Sequence, residues 1–165
     1  MKLEFFNYRF ADEVLNSNLS LKKELTAVLE EIKVSSFGIS RPELNQITQQ
    51  ELVKRGWQSQ VPAFGADGRG ETKLDFVKNR IGVEVQLGHA SFIGIDLLKF
   101  QVASYAGLDV IDVGVYVVVT QSLIRTMIAV GQKWEGSLTF EKVTAYLPHF
   151  RSAIHVPILV IGLME

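Results

Sequence analysis

Apolar positions along the chain change period twice, and the changes mark out its elements. From 11 to 33, Val14, Leu15, Leu19, Leu21, Leu25, Val28, Leu29 and Ile32 fall on one rough helical stripe. Ser40-Arg41-Pro42-Glu43 is a helix start, with Ser as cap, Pro in the first turn and Glu three residues after the cap. That second helix is predicted to run to Arg55 and stop at Gly56. The period then drops to two. A short strand is predicted at 57–61, and a Gly- and Pro-rich loop at 62–70 that could close over a ligand. Further strands are predicted at 72–78 and 81–87, where apolar and polar residues alternate. Residues 91–105 are long and apolar enough for a buried helix, ended by Gly107. Residues 113–119 form a β-branched run suited to a strand buried on both faces. A strand, a crossover helix and another strand make a βαβ unit, so 81–87 and 113–119 should be parallel. Helices at 122–130 and 139–147 and a last strand at 156–162 complete a single α/β domain over residues 1–165, a mixed sheet flanked by helices.

Residues 72–87 carry the sharpest local inference. A two-residue turn at Asn79-Arg80 suits a tight hairpin, because Asn accepts positive φ. That turn sets Asp75 opposite Glu84, Leu74 opposite Val85 and Phe76 opposite Val83. The apolar residues are then expected on a core face and the two carboxylates together on the other. A slip of one residue would destroy both matches. Directly opposed Cβ atoms lie about 4.5–5.5 Å apart, so the acids repel unless something neutralises them. A divalent cation would do so, and Mg2+ suits a site with few protein carboxylates and several waters. One such water, activated by the metal, is the candidate nucleophile for a phosphodiester. Gln86, one pleat further along, adds a neutral oxygen and an amide donor. Acids on a solvated strand face also occur without any ligand, and the residues alone leave that alternative open.

Bulk properties narrow the class without choosing a function. The chain has 165 residues, 47% hydrophobic and 21% charged, which suits one globular domain and is too apolar for disorder. No stretch approaches the ~20 apolar residues that a membrane span needs, and no signal core follows Met1, so a cytoplasmic protein with no membrane partner is expected. The absence of cysteine rules out disulfides and thiolate metal sites. A net charge of −1 argues mildly against nucleic acid. Between Lys54 and Arg80, however, six cations face three anions, and metal-bound carboxylates are neutralised by their ion.

Asp75, eight intervening residues and then Glu84-Val85-Gln86 resemble the hairpin motif of the PD-(D/E)XK nuclease superfamily. The flanking segments fit: a helix holding Glu43, then Gly56-Trp57 opening a strand, and a helix leading to a buried parallel strand afterwards. Leu74 stands where the motif has Pro, and Gln86 where it usually has Lys. Gln there is similar to the BglII and BstYI group of type II restriction endonucleases, as is the run from Gly107-Leu108 to Asp112-Val113-Gly114-Val115. The resemblance covers roughly residues 40–122. It implies a restriction-endonuclease-like fold and a Mg2+-dependent homodimer that cuts both strands of double-stranded DNA. By position, Asp75 and Glu84 would hold metal and Gln86 would orient water, with Glu43 as an accessory carboxylate or simply a cap. Gly88, His89 and Ser91 after the motif, and Thr120, Gln121 and Ser122 after the next strand, would face DNA. The same fold also serves repair or recombination nucleases and catalytically silent binding domains.

Other features carry competing readings. Gln101 and Tyr105 share a helix face and could reach the site, but core packing is the simpler account. Lys99, on a mostly apolar helix, reads first as a lysine whose head reaches out to solvent. Its alternatives are a DNA phosphate contact or a relocated catalytic lysine. The Gly65–Gly70 loop lacks the ending of a phosphate-binding P-loop.

Overall fold

The computed structural model describes residues 1–64, 72–105 and 110–165. The predicted loop residues 65–70 and the stop at Gly107 lie outside these. The strands are β1 (Lys2–Tyr8), β2 (Gln58–Phe64), β3 (Thr72–Lys78), β4 (Ile81–Val85), β5 (Val113–Val119) and β6 (Ile158–Met164). The helices are α1 (Ala11–Asn16), α2 (Leu19–Glu31), α3 (Arg41–Lys54), α4 (Ile93–Ala103), α5 (Gln121–Ala129) and α6 (Phe140–Tyr146). The strands form one sheet in the order β1-β6-β5-β4-β3-β2. β4, β5 and β6 are parallel, and both edges add antiparallel pairs, so the fold is the expected mixed α/β sheet.

Both faces of this sheet are buried, and strand alternation divides the residues between them. Val113, Val115, Val117 and Val119 pack under α1, α2, α3 and α5 with Leu159, Ile161 and Leu163. Tyr116 and Val118 turn the other way, with Ile158 and Val160, under α4 and α6. Gly114 lets the Phe100 ring lie on β5: a Cβ there would stand 2.7 Å from that ring.

The structure corrects three expectations. The helix predicted over 11–33 is two helices, broken at Ser17-Asn18, where Asn18 has left helical geometry. β2 runs through Pro62 to Phe64 instead of ending at Val61; it is an edge strand, where a missing N–H is tolerated. An N-terminal strand, β1, pairs with β6 and was not predicted. Helix α3 starts as expected, with a full Ser40–Glu43 capping box, and Gly56 follows it at φ 82°.

Candidate active site

The hairpin forms in the expected register. Asn79 and Arg80 both take positive φ, 44° and 63°, as a tight two-residue turn requires. Phe76 pairs with Val83, Val77 with Gly82 and Lys78 with Ile81. Beyond Phe76 the backbone ladder stops and side chains replace it. The Asp75 N–H donates to Glu84 Oε1 at 3.2 Å, and the Val85 N–H donates to Asp75 Oδ2 at 2.8 Å. Each acid thus accepts a proton donor from the opposite strand, and the two carboxylates meet where β3 and β4 part.

The expected division into one core face and one open face does not hold. Glu84 lies under α4 and is 2% exposed. Leu74 packs with Val77 on the α4 side, while Phe76 and Val83 pack on the other. The alternation of β3 lapses at Asp75, opposite an irregularity in β2. There Gln60, between the paired positions Ser59 and Val61, takes φ 55°, a left-handed backbone unusual for its residue type. Its Nε2 lies 3.5 Å from Asp75 Oδ1. Nothing local in the sequence marks Gln60; its backbone geometry and its place opposite Asp75 appear only in three dimensions.

Helix α4 supplies the rest of the site. Lys99 Nζ donates to Glu84 Oε2 at 2.8 Å and lies 3.2 Å from Asp96 Oδ1. Lys99 therefore turns inward, and the reading of a lysine reaching for solvent is overturned. Asp96 is 2% exposed and accepts from Tyr116 Oη at 2.7 Å and Gln86 Nε2 at 2.8 Å, both on Oδ2. The Gln86 carbonyl accepts from the Gly88 N–H. Sequence reasoning missed Asp96 and Tyr116. The available signal was an acid three residues before Lys99 on an apolar helix.

Electrostatics follow from burial. Asp75 is raised above the usual carboxylate range, first by desolvation, against the opposing pull of the Val85 N–H and Lys99. Glu84 is pushed up to about 8 by desolvation and then by the Asp75 charge, with Lys99 opposing. Burial works to lower Lys99, but its hydrogen bond to Glu84 and the charges of Glu84 and Asp96 outweigh it and raise the ammonium's pKa. Burial and the Asp96 charge raise the Tyr116 hydroxyl well beyond its usual range, so it acts as a proton donor to Asp96.

The other candidates fall around this centre. Glu43 completes the capping box of α3, exchanging hydrogen bonds with Ser40. His89 and Ser91 are exposed and bonded to each other at the start of a 3-10 turn. Gln121 and Ser122 are exposed at the start of α5, where the Glu141 carboxylate accepts from the Gln121 N–H. Thr120 does not face outward: it is 2% exposed, caps α5 and donates to the Leu163 carbonyl. Gln101 is turned away to bind the His155 and Val156 N–H groups, and Tyr105 is exposed. Arg55, Lys78 and Arg80 are ion-paired with Glu51, Glu24 and Asp112, so these cations do not form a free basic stripe.

A pocket of about 230 Å³ opens at Asp75, lined by Asn45, Thr48 and Gln49 of α3, Ser59 and Gln60 of β2, and Phe76 and Val85 of the hairpin. Asn45 also lines an adjoining cleft of about 730 Å³, which runs past Arg41 and Gly88 to Gln132 and Lys133.

The sequence model of the restriction endonuclease BglII/BglIII family matches residues 3–163. The chain belongs to the BglII/BglIII restriction endonuclease family. That membership makes it a restriction-like deoxyribonuclease. It is 26% identical over 176 aligned positions to the type II restriction enzyme BglII of Bacillus subtilis, covering all of this chain and 77% of that protein. Its fold matches the crystal structure of BglII complexed with a DNA 16-mer at a TM-score of 0.78 and 22% identity, over all of this chain and 79% of that one. Free BglII matches at 0.73 and 24%, over all of this chain and 80% of that one. Among the described residues, no helix is long and apolar enough to cross a membrane.

The BglII/BglIII family implies a divalent metal cofactor. Among the described residues no set of three or more His, Asp or Glu side chains is arranged around a common metal position. Asp75 and Glu84 nevertheless fit such an ion: each bonds the other's strand, Asp75 faces the pocket, and the Asp75 charge opposes ionisation of Glu84, a repulsion that an oxygen-seeking cation removes.

Proposed function

We propose that this chain is a Mg2+-dependent endonuclease that hydrolyses phosphodiester bonds of double-stranded DNA at specific sequences, as a homodimer with one active site per strand. The observation that carries the reading is the meeting of Asp75 and Glu84 at the mouth of the split hairpin. The paired acids would hold the cation there. A divalent ion held by them supplies the acidity that makes water a nucleophile at neutral pH and offsets charge on the phosphate. The chain's own residues fix the geometry. The crossed backbone hydrogen bonds orient both carboxylates, and Gln60 crowds Asp75 from the edge strand. The pocket and the cleft joined at Asn45 give a trough for a nucleic-acid backbone, with Arg41 and Lys133 along it. His89 and Ser91 stand exposed beyond the catalytic strand, and Gln121 and Ser122 are exposed at the start of α5; all four are of a type that reads base edges or phosphates. The relationship to BglII supports the choice of DNA as substrate.

Digestion of plasmid and phage DNA with Mg2+ tests this reading. Wild type is expected to give discrete bands, and Asp75→Ala to lose them. Smears or nicks that follow DNA structure would replace sequence specificity with a repair-type activity. No cleavage of any DNA would overturn the reading.

The dimer is supported by one face of α4. Ile95 and Leu98 of α4, with Phe92 just before the helix, are large, exposed and spaced three residues apart, so they form a short apolar stripe beside the residues Asp96 and Lys99. A double substitution, Ile95→Glu with Leu98→Glu, is expected to give a monomer by sedimentation or light scattering while the melting profile stays cooperative. An unchanged mass would exclude this face.

A further inference from the structure

Position 86 holds Gln, yet the site does not lack an ammonium. Lys99 brings one from α4, with a side chain only 16% exposed. Its placement is built rather than incidental. Nζ has two acidic neighbours, a nearer one in Glu84 at 2.8 Å and a farther one in Asp96 at 3.2 Å. Asp96 is held from the opposite side by Tyr116 and Gln86, which both bond Oδ2 and leave Oδ1 to the lysine. Gln86 thus donates to the acid that a lysine at the same position would neutralise. Ile93, Leu97 and Phe100, buried on the same helix, keep α4 seated against the sheet.

We propose that Lys99 is the positioning cation of this site, seated on Glu84 without metal and shifted toward Asp96 when a divalent ion takes Glu84. The inference rests on the metal-dependent reading above. Its physical basis is competition: an ammonium and a divalent ion that share one carboxylate repel each other, so each weakens the other's contact with Glu84. Asp96 gives the displaced ammonium a second partner within a few tenths of an ångström of its present distance. The cation then remains inside the site, where it offsets negative charge during cleavage.

Two substitutions should move metal affinity in opposite directions. Mn2+ binding to the DNA-free full-length protein is measured by titration calorimetry, and cleavage under single-turnover conditions. Lys99→Met removes the competitor, so Mn2+ should bind at least about fivefold more tightly while cleavage slows by more than about tenfold. Asp96→Asn removes the second seat, so Mn2+ should bind at least about fivefold more weakly. Lys99→Arg should fall between wild type and Lys99→Met in cleavage. A lysine that merely supports the fold would give weaker metal binding in both variants, or no change in either; both results overturn the proposal. If Lys99→Met does not fold, the double variant Gln86→Lys with Lys99→Gln returns an ammonium to the site. It should then cleave faster than Lys99→Gln alone, and failure to do so counts against the proposal. A wild type that takes up no Mn2+ overturns the metal site itself; a wild type that binds it normally beside an unmoved Lys99→Met overturns this inference alone.

Discussion

Glu84→Gln is expected to lose Mg2+-dependent cleavage by about a thousandfold or more, as removal of a group central to the chemistry does, and yet to be the more stable protein in metal-free alkaline buffer. The two effects share one cause. In the folded, metal-free protein the Glu84 carboxyl holds its proton up to about pH 8, whereas the unfolded chain releases it near 4.5. Between those values the native state binds the extra proton, so stability falls as pH rises. The contribution is complete below pH 4.5 and gone above about 8. Asp75, also raised, adds a loss of the same sign. Glutamine does not ionise, so from pH 5 to 9 the variant's melting temperature should fall less steeply than the wild type's, which declines by several degrees, with only the Asp75 loss remaining. Added Mg2+ should restore the wild type at high pH and leave the variant unmoved. Parallel curves for the two proteins would contradict this account. Below about pH 4 both should lose some further stability alike, because Glu24 and Asp112 are held below their usual range by Lys78 and Arg80 and weaken those partly exposed pairs on protonation.

Trp134→Ala carries the largest expected cost in stability, about 3–5 kcal/mol. The indole is fully buried in the cluster on the α3 side. Its Nε1 donates to the Ile39 carbonyl at 2.9 Å, just before the Ser40 cap of α3. Alanine leaves a cavity and an unpaired carbonyl together. At roughly 2–4 °C per kcal/mol for a chain of this size, the melting temperature should drop by about 6–20 °C. Trp134→Phe keeps much of the ring volume and should lose distinctly less. Equal losses would mean that the hydrogen bond, not the packing, holds this junction. The same tryptophan anchors the turn at Gly131–Lys133 that walls the cleft, so the phenylalanine variant should keep most of its affinity for duplex DNA.

The Asp75–Glu84 hairpin was legible because everything that specifies it is local. Asn79 and Arg80 set the turn, the turn sets the register, and the register brings Asp75 to Glu84. β5 was legible for a similar reason: an unbroken β-branched run is consistent with a strand covered on both sides. What the sequence hid depends on partners far along the chain. β1 is half-polar and paired with residues 150 to 162 positions away, so no neighbour announces it. Asp96 reads as an odd acid on an apolar helix until Tyr116 and Gln86 stand opposite it. Lys99 was misjudged for the same reason, since its partners lie on another element. Treating one face of the hairpin as solvent was an error of layer, because α4 covers Glu84, and the simple alternation failed as well: β3 breaks step at Asp75, so Leu74 and Phe76 pack on opposite sides of the sheet.

The position of β6 between β5 and β1 constrains how the chain can fold. The hairpin, α4 and β5 are all made before β6, and they hold every side chain of the acid–lysine cluster. Until residues 158–164 arrive, β5 has an open edge on one side and Tyr116 lacks half of its supporting sheet. The cluster's three acids are therefore made early but closed late, and pairing between the two ends of the chain is a slow, high-contact-order step. During synthesis the exposed edge of β5, rich in valine, is prone to pair with a wrong strand.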